Sequence, residues 1–309
     1  MFVLIFSFLF LTAFILCAPS AIPETAEALK TFLFIVLPSV FPLCVLSDWL
    51  VRSGAFRIPS RFLGPLMNPL FGVSEMGGLS VITSLIGSYP TAAKTTAQLY
   101  KNGEITKEDA LRLSAFTNNA GPLFIIGVLG TNILKDTFLG VIMWLCHITA
   151  SILSGLIMGK CSHKKQTVSP KSTYSTSLQR PKALLQLSSS IASAMETMVP
   201  VCGTVLFFAS ICAILESPIF ASIQPLSSVG GMLLEMTTGC QTAAKLTLNI
   251  IPRCCLLAGI ASWGGCSVHM QIIYLLSQNG LSCTRYILGK VLHTILSVLL
   301  TAIVCMIYV

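Results

Sequence analysis

The sequence predicts an all-α polytopic membrane protein, organised as an inverted repeat with re-entrant hairpins and discontinuous helices. Three observations carry this expectation. The 309 residues are 54% hydrophobic and only 10% charged, far from the roughly 25% charged residues of a soluble domain. Long uncharged runs alternate with apolar stretches interrupted by Gly, Pro, Ser and Asn. The tetrapeptide Thr-Ala-Ala-Lys occurs twice, at 91–94 and at 242–245, at the same point of two similarly ordered halves.

In chain order, residues 2–18 form an uncharged run with no Lys or Arg before it and no clear small-x-small cleavage site. They read as a first transmembrane helix in preference to a signal-peptide core. Residues 31–51, 137–159, 199–216 and 286–308 are further spanning candidates. At about 1.5 Å per residue each crosses most or all of an apolar layer of roughly 30 Å. Between them lie 76–90, 120–134, 230–241 and 256–280, apolar but broken. Such backbone is tolerated at membrane depth where protein or a water-filled cavity satisfies the freed polar groups. Residues 101–118 differ again. Asn102 and Gly103 make a turn, Thr106 is placed to cap a helix, and Asp109 stands three residues on, where a capping-box acid belongs. An interfacial, partly amphipathic helix is expected there.

Charge sets the topology. The net charge is +8, and six of the 19 basic residues fall between Lys160 and Lys182, a stretch with no Asp or Glu. That bias marks a cytoplasmic linker near anionic headgroups, so the partner it implies is the lipid bilayer and no nucleic acid is expected. With the linker inside, the 137–159 helix runs inward, and Arg52, Arg57 and Arg61 place the end of 31–51 inside too. The 199–216 helix then runs outward, opposite to 31–51, while Arg285 and Lys290 suit a last helix entering from the cytoplasm. The resulting division is an N-terminal helix and external loop at 1–28, a first repeat at 29–160, the linker at 161–182, and a second, inverted repeat at 183–309. Twelve cysteines lack any C-x-x-C pair or His/Cys cluster and read as reduced, small apolar residues.

The stretches GSYPTAAK (87–94), SAFTNNAGPLFIIGVLG (114–130) and ASWGGCSVHMQ (261–271) resemble the membrane nucleoside-recognition, or Gate-domain, family, and within it a branch of sporulation integral membrane proteins. The resemblance runs from about residue 30 to the C-terminus. It implies an inverted-repeat transporter fold related to concentrative nucleoside transporters. For that branch it implies a role in spore formation, moving dipicolinate across the outer forespore membrane, which is a bacterial cell membrane derived from the mother cell.

The two lysines ask for an explanation, because a charged Lys at the centre of a membrane costs roughly 2.5 to 3.5 kcal/mol on insertion scales. Lys94 and Lys245 either snorkel from helix ends to the headgroups or serve an anion. In the second reading, Gly87-Ser88-Tyr89-Pro90 and Gly239-Cys240-Gln241 break the backbone, and helices starting at Thr91 and Thr242 expose unpaired N–H groups and positive dipole ends. Pro90 suits the first turn. Two such termini meeting near the midplane match a small organic anion, and a planar dicarboxylate above others. Glu235 stands ready either to pair with Lys245 or to carry a proton. Asn118, Asn119, Ser262 and Trp263 offer donors at the second breaks, for a flat ligand or for loose backbone groups. The candidate substrate-binding set is thus Ser88, Tyr89, Thr91, Lys94, Asn118, Asn119, Gln241, Thr242, Lys245, Ser262 and Trp263. His147, His269 and His293 read as packed core residues.

No Walker motif, H-E-x-x-H or Ser/His/Asp arrangement occurs, so no cofactor, metal site or catalytic residue is expected. A transporter of a small organic anion leads. A nucleoside or nucleobase transporter, which would want carboxylate or amide partners for ribose, and a non-transporting ligand sensor or scaffold stay open beside it. A homo-oligomer is compatible with each.

Overall fold

The computed structural model describes residues 1–55, 57–160 and 183–308, and all regular structure among them is helical. The basic stretch 161–182, expected to be the linker, lies outside the described residues. The helices are α1 (Phe2–Leu16), α2 (Ala18–Ser53), α3 (Arg57–Leu66), α4 (Gly78–Ile86), α5 (Thr91–Lys101), α6 (Lys107–Ser114), α7 (Leu123–Leu134), α8 (Thr137–Lys160), α9 (Ala183–Leu215), α10 (Gln224–Leu234), α11 (Met236–Lys245), α12 (Ile250–Trp263), α13 (Gly265–Ser277) and α14 (Thr284–Tyr308). The chain is an all-α polytopic membrane protein. Among the described residues five stretches are long and apolar enough to span, Ala18–Ser53, Thr137–Gly159, Leu184–Leu215, Ile250–Ser277 and Thr284–Tyr308, and a sixth if the bent pair Phe62–Phe71 and Glu75–Ile86 is one span.

The expected elements are largely present, with differences that have physical causes. The 31–51 span is part of a 36-residue helix. Its turns widen to a π-helix at Phe32–Val36, just before Pro38, a residue without an N–H to give to the ladder. The 2–18 run is a 15-residue helix, Phe2–Leu16, shorter than the five spanning stretches, and the external loop expected after it is corrected, because Ala18–Thr31 is helical and opens α2. The broken stretch 76–90 is one arm of a hairpin, since Phe62–Phe71 and Glu75–Ile86 meet at 108°. In 256–280 one break, at Gly264, separates two helices. The Thr106 cap forms as expected: its Oγ1 accepts from the Asp109 N–H at 3.1 Å, and Asp109 Oδ2 accepts from the Thr106 N–H at 3.2 Å.

The last helix shows how such a chain packs. Leu288, Val291, Ile295, Leu299 and Ile303 of α14 are exposed, whereas Gly289, Lys290, His293, Ser297, Thr301 and Cys305 are buried. Both sets repeat every three or four residues, so one face of the helix is apolar and outward, and the other is small or polar and inward. Lipid is as apolar as leucine, so close approach of small residues and hydrogen bonds holds membrane helices together. The inward face of α14 lies against α8 and α12.

The four backbone interruptions meet in the interior. The stretch 87–90 separates α4 from α5, 118–122 separates α6 from α7, Glu235 separates α10 from α11, and Gly264 separates α12 from α13. Gly121 comes so close to the first break that a Cβ on it would lie 2.7 Å from the Gly87 carbonyl oxygen. Gly265 has φ +78°, and a Cβ there would lie 2.9 Å from Leu234 O and 3.0 Å from Met236 N. Only glycine meets both demands at that point.

The two Thr-Ala-Ala-Lys segments are not structurally equivalent. Thr91 opens α5, with Pro90 as its N-cap residue. Thr242 lies in the last turn of α11, which closes at Lys245. The expected second helix start at Thr242 is therefore corrected: α11 begins at Met236, because Glu235 supplies the cap six residues earlier.

Candidate functional site

Three cavities form a series in which each shares lining residues with its neighbour. The largest, 530 Å³, lies between α2, α5, α9 and α13. A second of 60 Å³ sits where the breaks meet and shares Val201 and Gln271 with the first. A third of 10 Å³ shares Thr237 with the second and is lined by Glu24, Glu216 and Gln241. Charge is distributed unevenly along this series. Arg52, Lys94 and Lys101 line the large cavity against one carboxylate, Glu196, whereas the charged residues lining the smallest are both acidic.

Lys94 occupies the fourth position of α5, near the positive end of the helix dipole, which disfavours a cation. Asp48 offsets this. Its buried carboxylate accepts from Gln98 Nε2 and Arg52 Nε, accepts from Ser193 Oγ at 3.1 Å, and lies 3.9 Å from Lys94 Nζ. Lys94 Nζ also donates to the Ser193 carbonyl at 2.7 Å. The lysine is only 8% exposed, so it does not snorkel; it faces the large cavity and ties α5 to α9. Asp48 was not singled out from the sequence, although the Asp48–Arg52 spacing of four residues inside an apolar helix was there to be read.

Lys245 stands apart. It is exposed at the end of α11 and does not line the cavity that Lys94 lines. The expectation that the two lysines converge on one site is corrected. So is the expected Glu235–Lys245 pair, because the two sit at opposite ends of α11, about 15 Å apart along the axis. Glu235 instead accepts from the Thr238 N–H at 2.7 Å and from Thr237 Oγ1 at 2.5 Å. It is an N-cap carboxylate, 1% exposed, lining the small cavity.

The remaining expected residues divide by what they touch. Ser88 and Tyr89 line the small cavity with Glu235, and Gln241 lines the smallest. Thr91 is buried and shares a hydrogen bond of 3.3 Å with Cys44 Sγ. Thr242 donates to Glu216 Oε1 at 2.9 Å. Asn118 Nδ2 donates to the Ser114 carbonyl at 2.9 Å, and Asn119 Nδ2 to Ser151 Oγ at 2.9 Å. Ser262 Oγ donates to the Ala258 carbonyl at 2.5 Å, and Trp263 Nε1 to the Leu233 carbonyl at 3.2 Å. These last four polar groups thus serve the broken backbone and its neighbours.

The sequence reading placed Lys290 with Arg285 at the cytoplasmic entrance of the last helix, and the structure corrects this. Arg285 Nη1 donates to Glu108 Oε1 at 2.7 Å. Lys290, five residues further in, is 1% exposed. Its period with Tyr286, His293 and Ser297 on one helix face was the available signal. The histidines are packed core residues, as expected: His269 Nδ1 lies 2.8 Å from the Tyr286 hydroxyl, and the rings of His147 and His293 are 4.5 Å apart. Among the described residues no cluster of His, Cys, Asp and Glu could hold a metal ion.

No family model matches this chain, and no solved structure matches it. It is similar to the sporulation integral membrane protein YlbJ of Bacillus subtilis (strain 168), with 24% identity over 319 residues that cover 93% of this chain and 78% of the relative. The chain is an integral membrane protein that resembles this relative along almost its whole length.

Proposed function

We propose that the chain is a secondary-type transporter of a small organic anion, with dipicolinate as substrate, acting in the outer forespore membrane during sporulation. The observation that carries this reading is the 530 Å³ cavity with three cations and one carboxylate on its wall, an excess of positive charge that remains when Asp48 behind Lys94 and Arg52 is counted. A diffusible anion is attracted there, whereas a neutral sugar gains little from three cations. The binding group is Lys94 with Arg52 and Lys101, in place of a Lys94–Lys245 pair. The relative's name supplies the sporulation setting, and the resemblance of GSYPTAAK, SAFTNNAGPLFIIGVLG and ASWGGCSVHMQ to the Gate-domain family supplies the transporter class.

The unequal cavities support alternating access. The 530 Å³ cavity reaches the end marked by Lys101 and Gln278, while its neighbours hold only 60 Å³ and 10 Å³, the asymmetry a carrier open toward that end would have. By the bias of basic residues that end is cytoplasmic. Four meeting breaks give the helices places to hinge and let polar backbone line the route. An inverted repeat formed by residues 29–160 and 183–309 would supply the symmetry for the rocking motion.

The test is uptake of labelled dipicolinate, with uridine as comparator, into vesicles holding the full chain or Lys94→Ala. Saturable dipicolinate flux that falls in the variant supports the reading. Uridine flux alone moves the protein to nucleoside transport, and saturable binding without flux of either makes it a ligand sensor.

A further inference from the structure

Lys290 is the most deeply buried cation in the described structure, and the cavities above make no use of it. Its Nζ lies 2.6 Å from the Tyr89 hydroxyl, 3.0 Å from the Asn118 carbonyl oxygen and 3.3 Å from His293 Nδ1. An ammonium has three hydrogens to donate and no acceptor, and here it meets three acceptors. Among the described residues no carboxylate comes within ion-pair distance of it.

The orientation of each partner follows from its other bonds. Tyr89 donates its own hydrogen toward the Ala261 and Ser262 carbonyls, at 3.3 and 3.4 Å, which leaves its oxygen to accept from Lys290. His293 Nε2 faces the His147 carbonyl at 3.0 Å and donates to it, so Nδ1 carries the lone pair. His147 Nε2 accepts from the Ala120 N–H at 3.2 Å, which puts its hydrogen on Nδ1. Tyr286, one turn away on the same helix, is bonded to His269. In this arrangement both histidines are neutral, each donating from one ring nitrogen, and Lys290 is the group of the cluster with hydrogens to give to all three acceptors.

Two of the three acceptors come from the breaks, the third being His293 on α14 itself, and a further break is reached through Tyr89, whose hydroxyl meets the Ala261 and Ser262 carbonyls. Tyr89 belongs to the first and Asn118 to the second, while Ala261 and Ser262 are in the last turn of α12, where carbonyls lack helical partners and the dipole favours a cation. Unwound carbonyls and half-helix C-terminal ends are the groups that bind Na⁺ or H⁺ in carriers built from broken helices. We propose that the Lys290 ammonium is a built-in cation seated on such a site, taking the place of a diffusible metal ion and clasping the first two breaks together directly and the fourth through the Tyr89 hydroxyl. Closure around the anion then needs no Na⁺, because the positive charge that organises the carbonyls is tethered to α14.

Two measurements on the purified full chain test this. The first is thermal unfolding of Lys290→Ala, titrated with n-propylammonium chloride and, separately, with 1-butanol. The expected result is a lowered midpoint that propylammonium raises saturably and the neutral alcohol does not. Lys290→Met, with a side chain of similar length and no charge, should behave like the alanine variant. A methionine variant as stable as the parent would overturn the proposal, as would equal rescue by butanol. The second measurement requires no variant and rests on the transporter reading. Parent flux should be unchanged when Na⁺ is replaced by choline at constant ionic strength, and about tenfold lower in Lys290→Met. A flux that collapses without Na⁺ overturns the built-in cation. A parent that moves no anion at all defeats the transporter reading instead, and the propylammonium titration still decides the site.

Discussion

The two Thr-Ala-Ala-Lys segments have the same four letters and opposite surroundings. In the first, the tetrapeptide opens α5, Thr91 is 1% exposed, and Lys94 is held beside Asp48 on the wall of the largest cavity. In the second it closes α11, and Lys245 is exposed at the helix end. A cation at a helix C-terminus is favoured by the dipole and costs little at an exposed position. A cation near a buried N-terminus persists only with a partner. The comparison teaches that an intramembrane lysine is marked by the acid and carbonyls that meet it more than by its own sequence neighbours.

The largest effect should come from breaking that partnership. Asp48→Ala leaves Arg52, Gln98 and Lys94 without their common acceptor, and loss of a buried partner costs roughly 3–5 kcal/mol. Denaturation of the detergent-purified chain would measure it, and a loss below about 1 kcal/mol would mean that α5 is held by other contacts. Next in size, Lys94→Ala should reduce anion flux about tenfold or more, with Lys245→Ala staying within about twofold of the parent. Equal losses in both variants would restore the equivalence that the structure denies.

Smaller effects separate the two helices further. Glu235→Ala removes the cap that starts α11, at a cost of about 1–2 kcal/mol, and hydrogen exchange in 236–245 should rise before exchange in 91–101 does. A uniform rise across both helices would show that the cap acts on the whole fold. The smallest effect concerns Glu108, in the helix that follows α5. Burial alone would raise its pKa, but the hydrogen bonds from Arg285 and Arg112 outweigh it and hold the carboxyl below the ordinary range. Because the folded value is the lower one, the contribution is present above the ordinary glutamate pKa of about 4.3 and is lost as the pH falls through the depressed value. The stability difference between the parent and Glu108→Gln should therefore hold from pH 7 to about pH 5 and shrink as the pH falls below about 4. It should stay under about 1 kcal/mol throughout, since the pair is partly exposed and screened by salt. A difference that grows on acidification would reverse the assigned direction.

Much of this was legible in the residues. The apolar runs placed most of the long helices, Gly and Pro placed three of the four inner breaks, and Thr106 with Asp109 placed the start of α6, because each of these is a local demand of backbone geometry or capping. Asp48 and Lys290 left only a spacing and a helix period in the sequence, and the partners that give them and Glu235 their roles were not legible. The sequence shows Lys290 five residues after Arg285 and near a helix start, which reads as an interfacial charge. The structure turns that side chain inward to Tyr89 and Asn118, residues 201 and 172 positions away in the chain.

By itself the sequence determined that this chain lives in a membrane, where most of its helices run, and where three of its four inner breaks fall. Those are properties of segments, set by apolar length and by residues that cannot continue a helix. Only the tertiary structure decided which charges are buried, which lysine meets an acid, and which carbonyls accept from the last helix. The cost of a buried charge depends on partners brought from distant parts of the chain, and no local pattern specifies where those partners will meet.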